Sequence, residues 1–454
     1  MQSAFAHRFR SPLLGVALAS TLAVTGCGDP AHDLKVGTVG YVNGFAGMAV
    51  STEPRSVLVA RDVLSAGGSA ADAAVAMAFT LSATLPTSAG LGAGGVCLVH
   101  DHTSKKTQTL SFLPPPAGAS MVGAAEQSGT PIAIPTMPRA MYALYAQSGR
   151  LRWEQLLAPA ENIARFGEPV SRALSQEIGQ SAGRIGNDPI ARRIFAADGG
   201  RRPVQEGDTL TQLDLATVIG RLRQKGAGDL YNGQLARQYV DAAAQLGGQI
   251  TLESLRSYSP EWRDTITAPS GNETIHFPSD GLTGSETAKL WNTGSLTSSL
   301  GDERAPGIGA TSFMVMDLQG SAVVCGLTMN GPFGAGRQIP TTGMFAVAPG
   351  PADGRSRMPL AVAMVMNHNV NEFRFAAAAA GGGAFNQVAR AVQGFVNETP
   401  LADSISAITS SASGPALLNA ASCPEGLPSH PGSCRAAIDS RGSGYSLLIG
   451  GPRS

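Results

Sequence analysis

Apolar and polar positions along the chain fall into blocks of two different periods. From Ser56 to Leu85, Ala and Val recur at close spacing, broken only at Gly67-Gly68. That predicts helical structure packed tightly against a sheet. LPTSAGLGAGGVCLVHD (85–101) runs from a glycine loop into an apolar strand. TQTLSFL (107–113) reads as the next strand, so the two predict a hairpin. From Arg139 to about Ala243 the pattern is helical, with segments at Pro138–Gln147, Trp153–Arg165 and Leu213–Lys225. Residues 264–309 are polar and rich in Gly, Ser and Thr, and are expected to form a loop or linker. Strand patterns return in TSFMVMD (311–317) and SAVVCGL (321–327). FRFAAAAAGGGAFNQVARAV (373–392) predicts a strand running through a glycine turn into a helix, and RGSGYSLLIGG predicts a last strand. Strands at both ends of the chain enclose a helical block, which predicts a layered α/β architecture.

Composition narrows this reading. Hydrophobic residues make up 43% of the 454 residues and charged residues 15%, enough apolar surface for a sizeable core. Lys+Arg and Asp+Glu are both 33, without runs of like charge, so no nucleic-acid partner is expected. Residues 1–11 carry Arg8 and Arg10 and no acid, and PLLGVALASTLAVTG (12–26) is apolar or small. This run is too short to span a bilayer and has the parts of a secretory signal.

Val24-Thr25-Gly26-Cys27 resembles a bacterial lipobox. It implies a lipoprotein signal over 1–26, a lipid on Cys27 and a tether over 27–46. The alternative is an ordinary signal peptide with an unmodified Cys27. With the lipid, the chain is expected on the periplasmic face of a bacterial membrane. The outer membrane is preferred, because Gly28 is not an obvious inner-membrane retention signal.

Export permits disulfides. Cys423 and Cys434 flank a Pro/Gly loop and are the expected pair, while Cys97 and Cys325 sit in strand-like runs and read as core residues. The seven His are scattered, with His100/His102 the one close pair, so neither a metal site nor a cofactor is expected.

Six collinear segments add a family resemblance. They are GMAVSTEPRSVLVARDVLSAGGSAADAAVAMAFTLSATLPTSAGLGAGGVCLVHD (47–101), SGRLRWEQLLAPAENIARFGEPVS (148–171), the stretch GDTLTQLDLATVIGRL to GGQITLESLRSYSPEWR (207–263), DLQGSAVVCGLTMNGPFGAG (317–336), the Gly381–Gly383 turn and the final SRGSGYSLLIGG. Together they resemble the gamma-glutamyltranspeptidase, or glutathione hydrolase, family. The resemblance implies the N-terminal-nucleophile hydrolase fold, an αββα sandwich. It also implies a precursor that cuts itself, here into a large-subunit-like region (47–309, with 264–309 as linker) and a small-subunit-like region (310–454). In the family a Thr hydroxyl attacks the peptide carbonyl before it. The freed α-amino group then serves as base for the same hydroxyl on a γ-glutamyl amide. Two N–H groups of a Gly-Gly turn hold the oxyanion.

Several positions depart from that pattern. Counting back from Asp317 puts Ala310 at the nucleophile position, and Ala has no hydroxyl. Thr311 is adjacent, but a one-residue slip along a strand points it to the other face. Leu113 stands at the place of the carboxylate-gripping Arg. GMFAVAPG (343–350) replaces the segment that supplies the acid, and Ala361-Val362 replaces a Ser pair. Thr328, Asn330, Gly382 and Gly383 are retained. The expectation is a family member of impaired chemistry that still holds a γ-glutamyl or other small amide ligand. The alternative is an active amidohydrolase that uses Thr311 on a less charged substrate.

Overall fold

The computed structural model describes residues 46–449, apart from 117–121, 124–130, 187, 249, 281–282, 295–308, 352–357 and 413. The signal segment, Cys27 and all of the tether but Ala46 lie outside the described residues.

Two antiparallel sheets stack face to face. The first is built from β1 (Gly47–Ser51), β2 (Gly94–Asp101), β3 (Lys106–Ser111), β4 (Glu261–Asp264), β7 (Ala310–Asp317), β8 (Ala322–Thr328) and β13 (Tyr445–Ile449), in the order β4-β3-β2-β8-β7-β1-β13. The second contains β5 (Ile266–Ser270), β6 (Glu273–Phe277), β9 (Leu360–Asn367), β10 (Glu372–Ala380), β11 (Leu417–Leu427) and β12 (Arg435–Ile438), in that order. Helices α1 (Pro54–Ser65), α2 (Ala70–Thr84), α3 (Met137–Ser148), α4 (Trp153–Phe166), α5 (Arg172–Ile185) and α6 (Leu213–Lys225) belong to the layer over the first sheet. Helices α7 (Thr283–Thr293), α8 (Ala384–Val396) and α9 (Leu401–Ser410) cover the second.

Strand alternation produces three apolar layers. On β7, Phe313 and Val315 join the core beneath the first helix layer, whereas Ala310, Met314 and Met316 join the core between the sheets. On β9, Val362, Met364 and Met366 face between the sheets, and Ala361, Ala363 and Val365 face the second helix layer. Both faces of the central strands are buried, so they read as continuous apolar runs rather than alternating ones. The chain is thus the expected layered αββα sandwich.

α2 is buried along its whole length. Ser69 and Asp72 form a capping box at its N-terminus, and Asp317 Oδ2, at the end of β7, accepts from Ala70 N–H at 3.0 Å. The same carboxylate accepts from the Gln319 and Ser321 N–H groups through Oδ1, each at 3.0 Å. One side chain therefore fixes both the β7–β8 turn and the start of the helix crossing it.

Two expectations need correction. The stretch 264–309 is not a structureless linker, because β5, β6 and α7 fall within it. Its polar composition misleads because β5 is an edge strand with one wet side, and among its described residues only Ala268, Ile275, Phe277, Ala288 and Leu290 are buried hydrophobics of the core. Cys97 and Cys325 are core residues, but they are also joined to each other. They stand opposite one another on β2 and β8 and form a disulfide. A second disulfide joins Cys423 to Cys434.

Candidate functional site

Gly309 opens β7 with φ +99, and a Cβ there would stand 2.3 Å from the Gly331 carbonyl carbon. Only glycine fits both demands. Its peptide is held on each side. The Gly309 N–H donates to Ser88 Oγ at 2.9 Å. The Gly309 carbonyl accepts from Met329 N–H at 2.9 Å and from the Thr328 hydroxyl at 3.0 Å. Asn330 N–H donates to Thr328 Oγ1 at 2.8 Å, and Asn330 Nδ2 donates to the Ala348 carbonyl at 3.1 Å. Asn330 takes φ +58, a left-handed conformation that Asn tolerates better than most residues.

Two donors on one carbonyl polarise it, which is the arrangement that favours attack by a neighbouring nucleophile. The neighbour is Ala310, paired across the strand with Thr328 and 5% exposed. Its methyl group belongs to the core between the sheets. The Thr311 hydroxyl makes a short hydrogen bond to the Thr52 hydroxyl and is buried. Thr311 lies one residue along the strand and so faces away from Ala310. The strand pairing runs without a bulge from Ala310 to Met316.

The Gly381–Gly383 turn lies at the same end. Ser312 Oγ approaches the Ala378 carbonyl at 3.4 Å, which lays the start of β7 over the end of β10, where the turn begins. Gly381 has φ +102, and Gly383 has φ +88 and caps α8. The Gly382 carbonyl accepts from Ala416 N–H at 3.0 Å. Leu113 packs against the core between the sheets. Met344, Phe345, Ala346, Val347 and Ala348 are buried, with the Phe345 ring 4.6 Å from Phe333. Leu113 and residues 344–348 are thus packed apolar side chains.

Sequence reasoning did not single out Ser88, Glu177, Thr52 or Arg441. Glu177, on α5, accepts from the Ser88 hydroxyl at 2.8 Å and from the Thr87 hydroxyl at a shorter distance. With Glu177, Thr52 and Arg441 line a cleft of about 270 Å³. Arg441 is paired with Asp439 at 2.6 Å and donates to the Gly414 and Ala416 carbonyls. The sequence signal for Ser88 was its place in the glycine loop, but nothing local marks Glu177, whose partners lie about 90 residues away.

Burial pushes the Glu177 carboxyl up to about 7, against the lowering effect of the Thr87 and Ser88 hydrogen bonds. In the unfolded chain it ionises near 4.5. The folded state thus keeps a proton that the unfolded state has lost between these values, so stability falls as pH rises through that window. Glu177→Gln should remove this fall. We expect the variant to gain on the order of 1–2 kcal/mol over the parent between pH 5 and 8, after allowance for partial solvent screening. Urea midpoints across that range measure it, and parallel curves would refute it.

The gamma-glutamyltranspeptidase family model matches residues 56–292, more than half of the chain. The chain belongs to the gamma-glutamyltranspeptidase family. The glutathione hydrolase proenzyme of Bacillus subtilis (strain 168) is 30% identical over 239 residues, covering 49% of this chain and 40% of that protein. Glutathione hydrolase 3 of Arabidopsis thaliana is 28% identical over 267 residues, covering 56% and 42%. The chain thus matches about two-fifths of the length of these relatives. The sandwich itself is shared more widely. A cephalosporin acylase from Bacillus halodurans superposes with a TM-score of 0.71 at 18% identity, covering 92% of this chain and 98% of that one. The fold is that of the gamma-glutamyltranspeptidases and cephalosporin acylase, the N-terminal-nucleophile hydrolase type.

Proposed function

We propose that this member of the gamma-glutamyltranspeptidase family is an exported, lipid-anchored protein in which the family's chemistry is impaired, and that it acts by binding a small amide ligand. The observation that carries the reading is Ala310. The Gly309 carbonyl is polarised by two donors, but the next residue offers a methyl group in place of a hydroxyl. Without a hydroxyl there is neither a self-cleavage step nor an ester intermediate. Leu113 and the apolar 343–350 segment support it, because a charged glutamyl head group buried against them would lack partners. The two disulfides support export, and Cys27 supplies the membrane attachment.

A second reading rests on Thr311, whose hydroxyl meets Thr52 at the cleft. A cut between Ala310 and Thr311 would expose it as an N-terminal nucleophile for a less charged amide. A γ-glutamyl chromogenic amide and a neutral acyl amide separate the two readings. We expect no protein-dependent turnover of either, and sustained release of chromophore from the γ-glutamyl amide would overturn the proposal. Turnover of the neutral amide that Thr311→Ala abolishes would establish the second reading instead.

A further inference from the structure

Six residues along β2 from Gly94, roughly 20 Å at strand rise, imidazoles replace methyl groups between the sheets. His100 continues the row of Val96 and Leu98 and faces between the sheets. His276 lies on β6 between Ile275 and Phe277, which face the opposite side. His368 follows β9 in the turn to β10, in line with Met364 and Met366. Three imidazoles scattered over 268 positions of sequence thereby meet at the end of the sandwich opposite the Gly381–Gly383 turn.

Their nitrogens are arranged unequally. His276 Nε2 and His368 Nε2 are 2.8 Å apart, with ring centroids at 5.0 Å. His276 Nδ1 is 2.7 Å from the Thr265 hydroxyl, and His100 Nδ1 is 3.0 Å from the Thr107 hydroxyl. With the Nδ1 protons donated to these hydroxyls, His100 and His276 each carry their lone pair on Nε2, that of His276 facing His368 Nε2. His100 is 1% exposed, and its Nε2 is buried with no hydrogen-bond partner. An orphaned buried nitrogen is costly unless something completes it. The His100 ring lies 6.4 Å from that of His368. His276 is buried, whereas His368 is exposed at the surface and gives a path inward.

We infer that His100, His276 and His368 form a binding site for a divalent transition-metal ion of the zinc type, bound through their Nε2 atoms with water in the remaining position. Imidazole suits such ions, and three protein nitrogens with one water is a familiar tetrahedral set. Thr107 and Thr265 hold the inner two rings in the required tautomer, the role that outer-shell partners play around metal-bound His.

As the side chains stand, no group of three or more His, Cys, Asp or Glu among the described residues could hold a metal ion, so the inference requires the trio to move. The movement needed is small. Two nitrogens on a tetrahedral ion at ~2.0–2.1 Å stand roughly 3.3 Å apart, with ring centres roughly 5 Å apart. The His276–His368 pair therefore opens by about half an ångström, and the His100 ring closes on that of His368 by about one and a half. The exposed His368 turn is the part free to adjust. The site pins β2 of the first sheet to β6 and the β9–β10 turn of the second, away from Ala310, and is independent of the proposed function.

The test uses the full-length chain without a polyhistidine tag, stripped by chelator. Cobalt(II) alone should bind one per chain and give the intense visible absorption of a tetrahedral site, and zinc(II) should displace it. His368→Ala, at an exposed position that leaves the core intact, should abolish the cobalt spectrum. Thr265→Val should weaken binding by about 10-fold or more. His102→Ala should change nothing, because His102 is held by Asn371 outside the trio. An absent tetrahedral spectrum, or one unchanged in His368→Ala, would overturn the inference.

Discussion

Produced without residues 1–27 and kept in solution, the chain should remain one polypeptide. After reduction its mass should equal that of the intact sequence, with no fragment ending at Gly309. The expectation follows from the proposal that the reaction centre is incomplete at Ala310. Thr328 and the Met329 N–H hold the Gly309 carbonyl as an attack on it would require, and Ser88 fixes the peptide from its nitrogen side. The methyl group of Ala310 cannot use that arrangement. Ala310→Thr supplies the hydroxyl at the edge of the inter-sheet core, a change of two heavy atoms at a position 5% exposed. The expected outcome is the largest possible contrast, from no detectable cut to a cut chain whose second fragment begins at residue 310. An uncut Ala310→Thr chain would mean that the polarised carbonyl alone does not suffice. A parent chain cut between Ala310 and Thr311 would place the working hydroxyl on Thr311 and refute the register on which the impaired reading rests.

The second large effect concerns stability. Cys97→Ala with Cys325→Ala removes a link between positions separated by 228 residues. Chain entropy assigns such a loop about 5 to 5.5 kcal/mol, a large part of the ~5–15 kcal/mol that holds a typical domain folded. Cys423→Ala with Cys434→Ala opens a loop of separation 11, for which the same account assigns about 3 kcal/mol. Both pairs are buried, so lost packing adds to each by a similar amount. Urea midpoints of the two double variants should therefore differ, with the first pair the more damaging. Equal losses would mean that the unfolded chain is already compact enough to make loop length irrelevant.

The parts of the fold that were legible in sequence are those set by local pattern. The glycine loop before β2, the strand–turn–helix around Gly381–Gly383 and the helices at Met137–Ser148, Trp153–Phe166 and Leu213–Lys225 each carry their signal within about a dozen residues. The opposed facing of Ala310 and Thr311 was legible too, because strand period alone decides it. What escaped depends on contacts distant in sequence. Cys97 and Cys325 look like ordinary strand residues until register sets them side by side. β5 and β6 looked like a linker because an edge strand buries too little to show an apolar run. Glu177 gains its meaning only from Thr87 and Ser88, which reach it from another segment. The His trio is assembled by the stacking of two sheets, which no local window can contain.

The first disulfide has a bearing on the family's two-piece architecture. Cys97 lies before the Gly309–Ala310 junction and Cys325 after it. A chain cut at that junction would still be a single covalent molecule, and its halves would part only in a reducing environment. While that disulfide is intact, shedding one piece from the other is closed to such a cut chain as a means of release or control. Whatever the chain carries after the junction stays covalently joined to the part that holds Cys97.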